Sequence, residues 1–483
     1  MTAFSPEKER KAANVLSDRP PSRSLVRTMN QPSTKPTKSI DMLSGSLWDK
    51  IIIFAIPLAF TGVLQQMFNA ADVAVLGHFV SNDAMAAVGN NVPIIGLAIS
   101  LCMGLSLGAN VVVARDIGMH RPDKTRRAVH TAFALALGFG LITTAVGELG
   151  CDPLLDCLEV PESVRQPASD YLRVFLLGMP FMAVYNFLAA VFRSKGDTKT
   201  PFVALVLATA FNAAANLVVV LVFSMGAGGV ALTTVLANFL AAVYLFWRQL
   251  LLHDELRLTP RRLLQINKED LSTMIRIGLP AGIQGMVFSL SNLLIQAAIN
   301  SLGPAAMAGS VAAFTIEMTV YCFINAFGLA TTTFVSQNYG AGNLPRCRRV
   351  TWISMGINML ATCFLVLTAV FFGREMIGLF SSDEAIIYFG FTRLLFILLP
   401  EPVNVIMETV SDAMRGYGCS LPPAVATLVC ICTIRVVWVY TVFSWTPNFI
   451  TLMTVYPISW IVTTFVLCWL YYRHQRELTR GRA

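Results

Sequence analysis

Arg193-Ser194-Lys195-Gly196-Asp197-Thr198-Lys199-Thr200-Pro201 has a counterpart 222 residues later, where Arg415, Gly418 and Pro423 take the places of Arg193, Gly196 and Pro201. The same offset carries Pro180 onto Pro402, Met85 onto Met307, and Gly118, Arg126 and Arg127 onto Gly340, Arg348 and Arg349. Nearer the start an offset of 223 pairs Pro57, Gly62 and Asn69 with Pro280, Gly285 and Asn292. One residue of drift is what a single short loop insertion or deletion leaves. Helix breakers and loop arginines fix where helices start and stop, so a repeat of them is a repeat of the fold.

Composition says which kind of fold. The chain is 55% hydrophobic and only 13% charged, with a mean hydropathy of +0.63, far from a soluble globular domain. Six apolar stretches per repeat reach the roughly 20 residues that cross a bilayer. They centre near 51–76, 86–114, 128–150, 171–192, 202–224 and 230–247, then 276–300, 308–336, 352–372, 391–413, 424–443 and 450–472. Lipid leaves no partner for open backbone groups, so each must be a helix. Six is even, so both repeats enter the membrane from the same side and their pseudo-two-fold axis runs along the membrane normal. The expectation is an all-α membrane protein of twelve transmembrane helices in two six-helix lobes, the usual construction of a secondary transporter.

Charge orients the chain. With the N-terminus inside, the tails and even-numbered loops hold 31 of the 36 Lys+Arg, and only Arg165, Arg173, Arg374, Arg393 and Arg435 fall elsewhere. That asymmetry predicts cytoplasmic termini in a plasma or inner membrane, and it explains the net charge of +8 without nucleic acid. The predicted organisation is a disordered basic tail over 1–44, an N-lobe over 45–250, a cytoplasmic amphipathic linker over 251–275, a C-lobe over 276–472 and a cytoplasmic tail over 473–483. The tail holds no signal-peptide core, and Met42 is an alternative start. In the linker, Thr259-Pro260 opens an amphipathic run, Arg261–Met274, expected as a helix lying on the cytoplasmic face. Pro57, Pro180, Pro280, Pro400 and Pro402 predict kinks or breaks. The ten cysteines form no metal-binding pattern; Cys151 and Cys157 share an outer loop and could bridge.

Several motifs, in order and duplicated, resemble the multidrug and toxic compound extrusion family. They are Leu76-Gly77-His78-Phe79 with Ala86-Ala87-Val88-Gly89, the Arg193–Pro201 stretch, and Gln337-Asn338-Tyr339-Gly340-Ala341-Gly342-Asn343 followed by Arg346–Arg349. The resemblance covers about residues 45–472. It implies two lobes around a central cleft, lined by the first, second, seventh and eighth helices. It also implies export of organic cations or other amphipathic compounds in exchange for H⁺ or Na⁺, with no other cofactor and a monomer in the bilayer.

Polar residues inside the spans mark candidate sites, because an ionisable group at membrane depth is costly. Gln65, Asn69 and Asp72 recur at helical spacing on the first span. The resemblance adds a pocket joining that Asp to an aromatic one turn earlier, a fifth-span pair spaced by four and a sixth-span Thr: here Phe68, Asp72, Asn212, Asn216 and Thr234. Phe68 lacks the hydroxyl of the tyrosine often found there, and Asn216 replaces an Asp, so a sodium site built from several acids is disfavoured in this lobe. Gln284, Asn292, Glu317 and Tyr321 are further cleft candidates; Asn325 follows at the same spacing. Arg435, in the eleventh span, is expected to pair with Glu408 at similar depth, and Asp412 to make a surface pair with Arg415. One rival, a lipid-linked oligosaccharide flippase, would carry several basic groups in the cleft, where this chain offers chiefly Arg435. A membrane enzyme would need convergent His, Cys or acid pairs, which are not evident. A channel would move substrate without coupling to an ion gradient.

Overall fold

A computed structural model describes residues 39–157 and 160–481, and every regular element among them is helical. The first lobe runs Trp48–Phe79, Asn82–Gly118, Pro122–Cys157, a broken span of Glu162–Leu177 and Met179–Ser194, then Lys199–Leu221 and Ala227–Leu250. The second runs Lys268–Asn300, Pro304–Gly340, Leu344–Phe371, a broken span of Glu384–Leu398 and Glu401–Gly416, then Leu421–Phe443 and Phe449–Arg480. Counting each broken pair as one span gives twelve.

The breaks fall where the prolines required them. The two halves of the fourth span meet at 45° with Pro180 in the first turn of the second half. Those of the tenth meet at 46° with Pro400 and Pro402 at the joint. A proline in the first turn of a helix costs nothing, because its missing N–H is one that has no partner there anyway. Pro57 and Pro280 lie inside unbroken helices. The one-residue drift of the repeat falls at the turns joining the first helix to the second and the seventh to the eighth.

The repeated loop explains its own conservation between lobes. Gly196 and Gly418 have φ of +95° and +85°, a region that penalises any Cβ, and each turns the chain out of the fourth or tenth span. Asp197 then accepts from the Thr200 amide at 3.0 Å and hydroxyl at 2.6 Å, fixing the start of the fifth span.

Two boundaries differ from the sequence reading. The tail gives way to packed chain before residue 44: Met42 is fully buried, and its carbonyl accepts from Asn338 at 3.1 Å and Arg346 at 3.3 Å. Residues 1–38 lie outside those described. The expected surface helix over Arg261–Met274 is instead a single 3₁₀ turn, Pro260–Arg262, followed by a loop and the first turns of the seventh helix, capped by Asn267. The linker is held in place by what it buries and binds. Leu256 and Leu258 are buried, Lys195 pairs with Asp254 and Glu255 at 2.7 and 2.9 Å, and the Thr259 amide donates to His130 Nε2 at 3.0 Å. Cys151 is a buried free thiol, and the Cys157 side chain lies outside those described.

At the end of the spans carrying the basic loops, the lobes meet through glycines. A Cβ on Gly104 of the second helix would lie 2.2 Å from the Gly282 nitrogen of the seventh, and one on Gly108 would lie 2.2 Å from the Met274 carbonyl. The second and eighth helices meet as closely at Gly118 and Gly340. Thr333 donates to Asn110 at 3.0 Å, and Gln337 to the Ser194 carbonyl at 2.5 Å.

Candidate functional site

Asp72 sits on the inner face of the first helix with only 3% of its surface exposed. Its two carboxylate oxygens have separate donors. Asn216 Nδ2 donates to Oδ1 at 2.7 Å, and Thr234 Oγ1 donates to Oδ2 at 2.7 Å. Helical spacing brings the rest. Asn212, one turn before Asn216, accepts from it at 3.3 Å and donates to the Thr234 hydroxyl at 3.3 Å. Thr233 donates to Asn216 Oδ1. Phe68 packs one turn before Asp72 in the core of the lobe. Four of the five residues matched to the resemblance therefore converge on one polar site, made by the first, fifth and sixth helices, and Phe68 lies one turn away in the adjoining core. Every donor in it is neutral, so the carboxylate charge has no fixed counter-charge among these contacts.

The sequence missed two members. Thr233 is hidden beside the more obvious Thr234. Tyr171, from the fourth span, lies buried within electrostatic reach of Asp72; a tyrosine near a span end reads first as an interface residue. Gln65 and Asn69 do not join. Gln65 is half-buried and Asn69 exposed, because a spacing of three places Asn69 off the axis that Phe68 and Asp72 share at a spacing of four.

In the second lobe the polar residues form two buried clusters. Glu317 is gripped by Arg393 through Nε at 2.8 Å and Nη2 at 2.9 Å, a two-pronged pair that shuts both side chains off from solvent. The sequence placed Arg393 outside the basic loops but named no partner for it. Closer to the basic end, Arg415 donates to Asp412 at 2.6 Å and to Gln284 at 2.9 Å. Thr332 donates to Asp412, and Tyr321 and Glu408 lie within electrostatic reach. The expected surface pair of Asp412 and Arg415 is thus a buried one spanning the seventh, eighth and tenth helices. Asn325 is exposed and takes no part.

The expected Glu408–Arg435 pair does not form. Glu408 faces Arg415, while Arg435 Nη1 donates to Asn292 at 2.7 Å and its guanidinium lies 5.1 Å from the Phe288 ring and 4.6 Å from that of Tyr456. Equal depth did not imply equal direction. The eleventh span is interrupted by π-helical turns at Leu428–Cys432 and Val439–Phe443, which rotate Arg435 away from the tenth span and towards the seventh and twelfth. No group of three or more His, Cys, Asp or Glu among the described residues could hold a metal ion.

The MatE family model matches residues 57–218 and 280–441, one copy per lobe. A probable multidrug resistance protein of Bacillus subtilis, YoeA, is 26% identical over 94% of this chain and 99% of its own. The probable multidrug resistance protein NorM of Thermotoga maritima is 28% identical over 80% of this chain and 83% of its own. A solved multidrug resistance MATE family transporter in an outward-facing conformation superposes with a TM-score of 0.84 at 20% identity, covering 91% of this chain and 98% of that one. With two helical lobes and a family match in each, the chain belongs to the MatE family of multidrug transporters.

Proposed function

We propose that the protein exports amphipathic, chiefly cationic small molecules from the cytoplasm by exchange with a cation bound at Asp72, the proton being the favoured ion. The observation that carries this is the Asp72 pocket: a buried carboxylate with neutral donors on both oxygens and, among the described residues, no arginine or lysine in hydrogen-bonding contact. A charge buried in that way calls for an arriving ion. A bare carboxyl takes a proton with no further ligands, whereas a sodium ion would find one carboxylate here where an Asp at position 216 would supply a second.

Export direction follows from orientation. The basic loops put that end of the spans, with both termini, on the cytoplasmic side. The glycine contacts hold the lobes together on that side. A cation at Asp72 can drive the change of state only by binding the two states unequally. The test is dye efflux from proteoliposomes under an imposed pH gradient, a sodium gradient, or neither. Efflux driven by the pH gradient alone supports the reading, sodium alone reassigns the ion, and rates that ignore both gradients remove antiport altogether.

A further inference from the structure

Arg435 is fully buried and has no acidic hydrogen-bond or salt-bridge partner among the described residues. It makes one hydrogen bond, to the neutral Asn292, while Nε and Nη2 carry none. Each acid of this lobe near mid-span is committed elsewhere: Glu317 to Arg393, Glu401 to Asn404 at 2.8 Å, and Asp412 with Glu408 to Arg415. The Phe288 and Tyr456 rings favour a cation, but they neither neutralise it nor fill its donors. A buried guanidinium left in this condition costs several kcal/mol unless an anion completes it.

The free edge has a specific shape. Nε and Nη2 form the side of the guanidinium that donates to both oxygens of one carboxylate. Arg393 uses these same two nitrogens to grip Glu317 in this lobe. The location is equally specific. Arg435, Asn292 and Tyr456 come from the eleventh, seventh and twelfth helices, the repeat mates of the fifth, first and sixth that build the Asp72 pocket. Asn292 is the mate of Asn69. At Pro201 and Pro423 the offset between lobes is 222, and a π turn holds one residue more than an α turn. Past the π turn at Leu428–Cys432 the offset becomes 223, which sets Arg435 opposite Asn212.

We infer that the second lobe carries an anion site centred on Arg435, which takes the carboxylate of a zwitterionic or anionic amphipathic substrate. The two lobes thus present opposite charges at equivalent places, Asp72 in one and Arg435 in the other. The inference extends the export reading to a substrate class and rests on it for the direction of transport only. Entry to the site requires the seventh and eleventh helices to part, and the two π turns flanking Arg435 are where the eleventh can give.

Rhodamine 6G, an esterified cation, and rhodamine 19, its free acid, differ at the group in question. Their affinities for the purified full-length protein are measured by fluorescence anisotropy, in wild type and in Arg435→Met. The ratio of the two dissociation constants should move by at least about tenfold against rhodamine 19 in the variant, the range of a lost charge-assisted hydrogen bond. Arg435→Lys, which keeps the charge without the fork, should move it the same way by less, and it serves as the test if Arg435→Met does not fold. An unchanged ratio, including equal weakening of both dyes, overturns the site. Chloride protecting wild type but not Arg435→Met against thermal unfolding, with no change in the ratio, would assign it to an inorganic anion and also overturn the substrate claim. Failure of wild-type liposomes to export either dye, with the ratio shifted as expected, would count against antiport and leave the anion site standing.

Discussion

Gly104→Ala should open the cytoplasmic face. The added methyl would lie 2.2 Å from the Gly282 nitrogen, 2.4 Å from its Cα and 2.7 Å from the Gly278 carbonyl, all backbone atoms that cannot swing aside. For the shortest contact to reach an ordinary 3.4 Å, the second and seventh helices must part by about 1.2 Å. Overpacking of this kind costs about 1–3 kcal/mol, and only the closed state bears it, because the contact is lost when the face opens. The ratio of closed to open should therefore fall roughly 5- to 150-fold. Alanine is also the better helix former, so the change cannot act by unwinding the second helix. Thr333→Cys, placed in a background without native cysteines, reports the opening, since Thr333 is 1% exposed at the lobe contact. Its reaction with an impermeant maleimide from the cytoplasmic side should quicken in Gly104→Ala. Gly138→Ala, where a methyl meets nothing within 4 Å, is the control. Equal labelling in the two alanine variants would refute the glycine contact as the closure.

Glu317→Gln leaves Arg393 buried and uncompensated, a loss of about 3–5 kcal/mol, while Glu317→Met with Arg393→Met should recover most of it; thermal unfolding in detergent reads both, and a double variant no better than the single one would exclude the pair. Asn216→Asp puts a second carboxylate against Asp72, which in lipid favours one shared cation between them, so sodium should begin to stimulate dye efflux; unaltered sodium dependence would separate Asn216 from the coupling site. Lys199 and Leu421 are exposed repeat mates at the starts of the fifth and eleventh spans, and cysteines at both should label from the cytoplasmic side alone. Labelling from opposite sides would require an odd number of spans per lobe.

How far the sequence carried depended on geometry. Helix boundaries were legible because they are written in local chemistry: Pro180 and Pro402 mark the broken spans, and Gly196 and Gly418 mark positive φ. The Asp72 pocket was expected from the family resemblance, and Asn212 and Asn216 could be placed in it because they sit one turn apart on a regular helix, which fixes their direction. The second lobe was not. Arg435 lies between π turns that the sequence does not announce, so its depth was readable and its direction was not. Arg393 was noted only as a charge outside the basic loops, and its Glu317 partner was not foreseen because the tenth span starts earlier than apolarity suggested, at Glu384. Arg261–Met274 has helical periodicity, but buried Leu256 and Leu258 and the Lys195 pairs pin the preceding chain, and only the end of that run joins a long helix, the seventh.

The most direct test of coupling at Asp72 is efflux of rhodamine 6G from proteoliposomes driven by a pH gradient, comparing wild type with Asp72→Asn. Asparagine keeps the size and one of the two acceptor oxygens, presents an amide donor in place of the other, and cannot carry the charge or bind the coupling proton. The expected result is gradient-driven efflux in wild type and, in Asp72→Asn, a rate no faster than that without a gradient, with dye binding and membrane insertion retained. Undiminished gradient-driven efflux in Asp72→Asn would contradict the account.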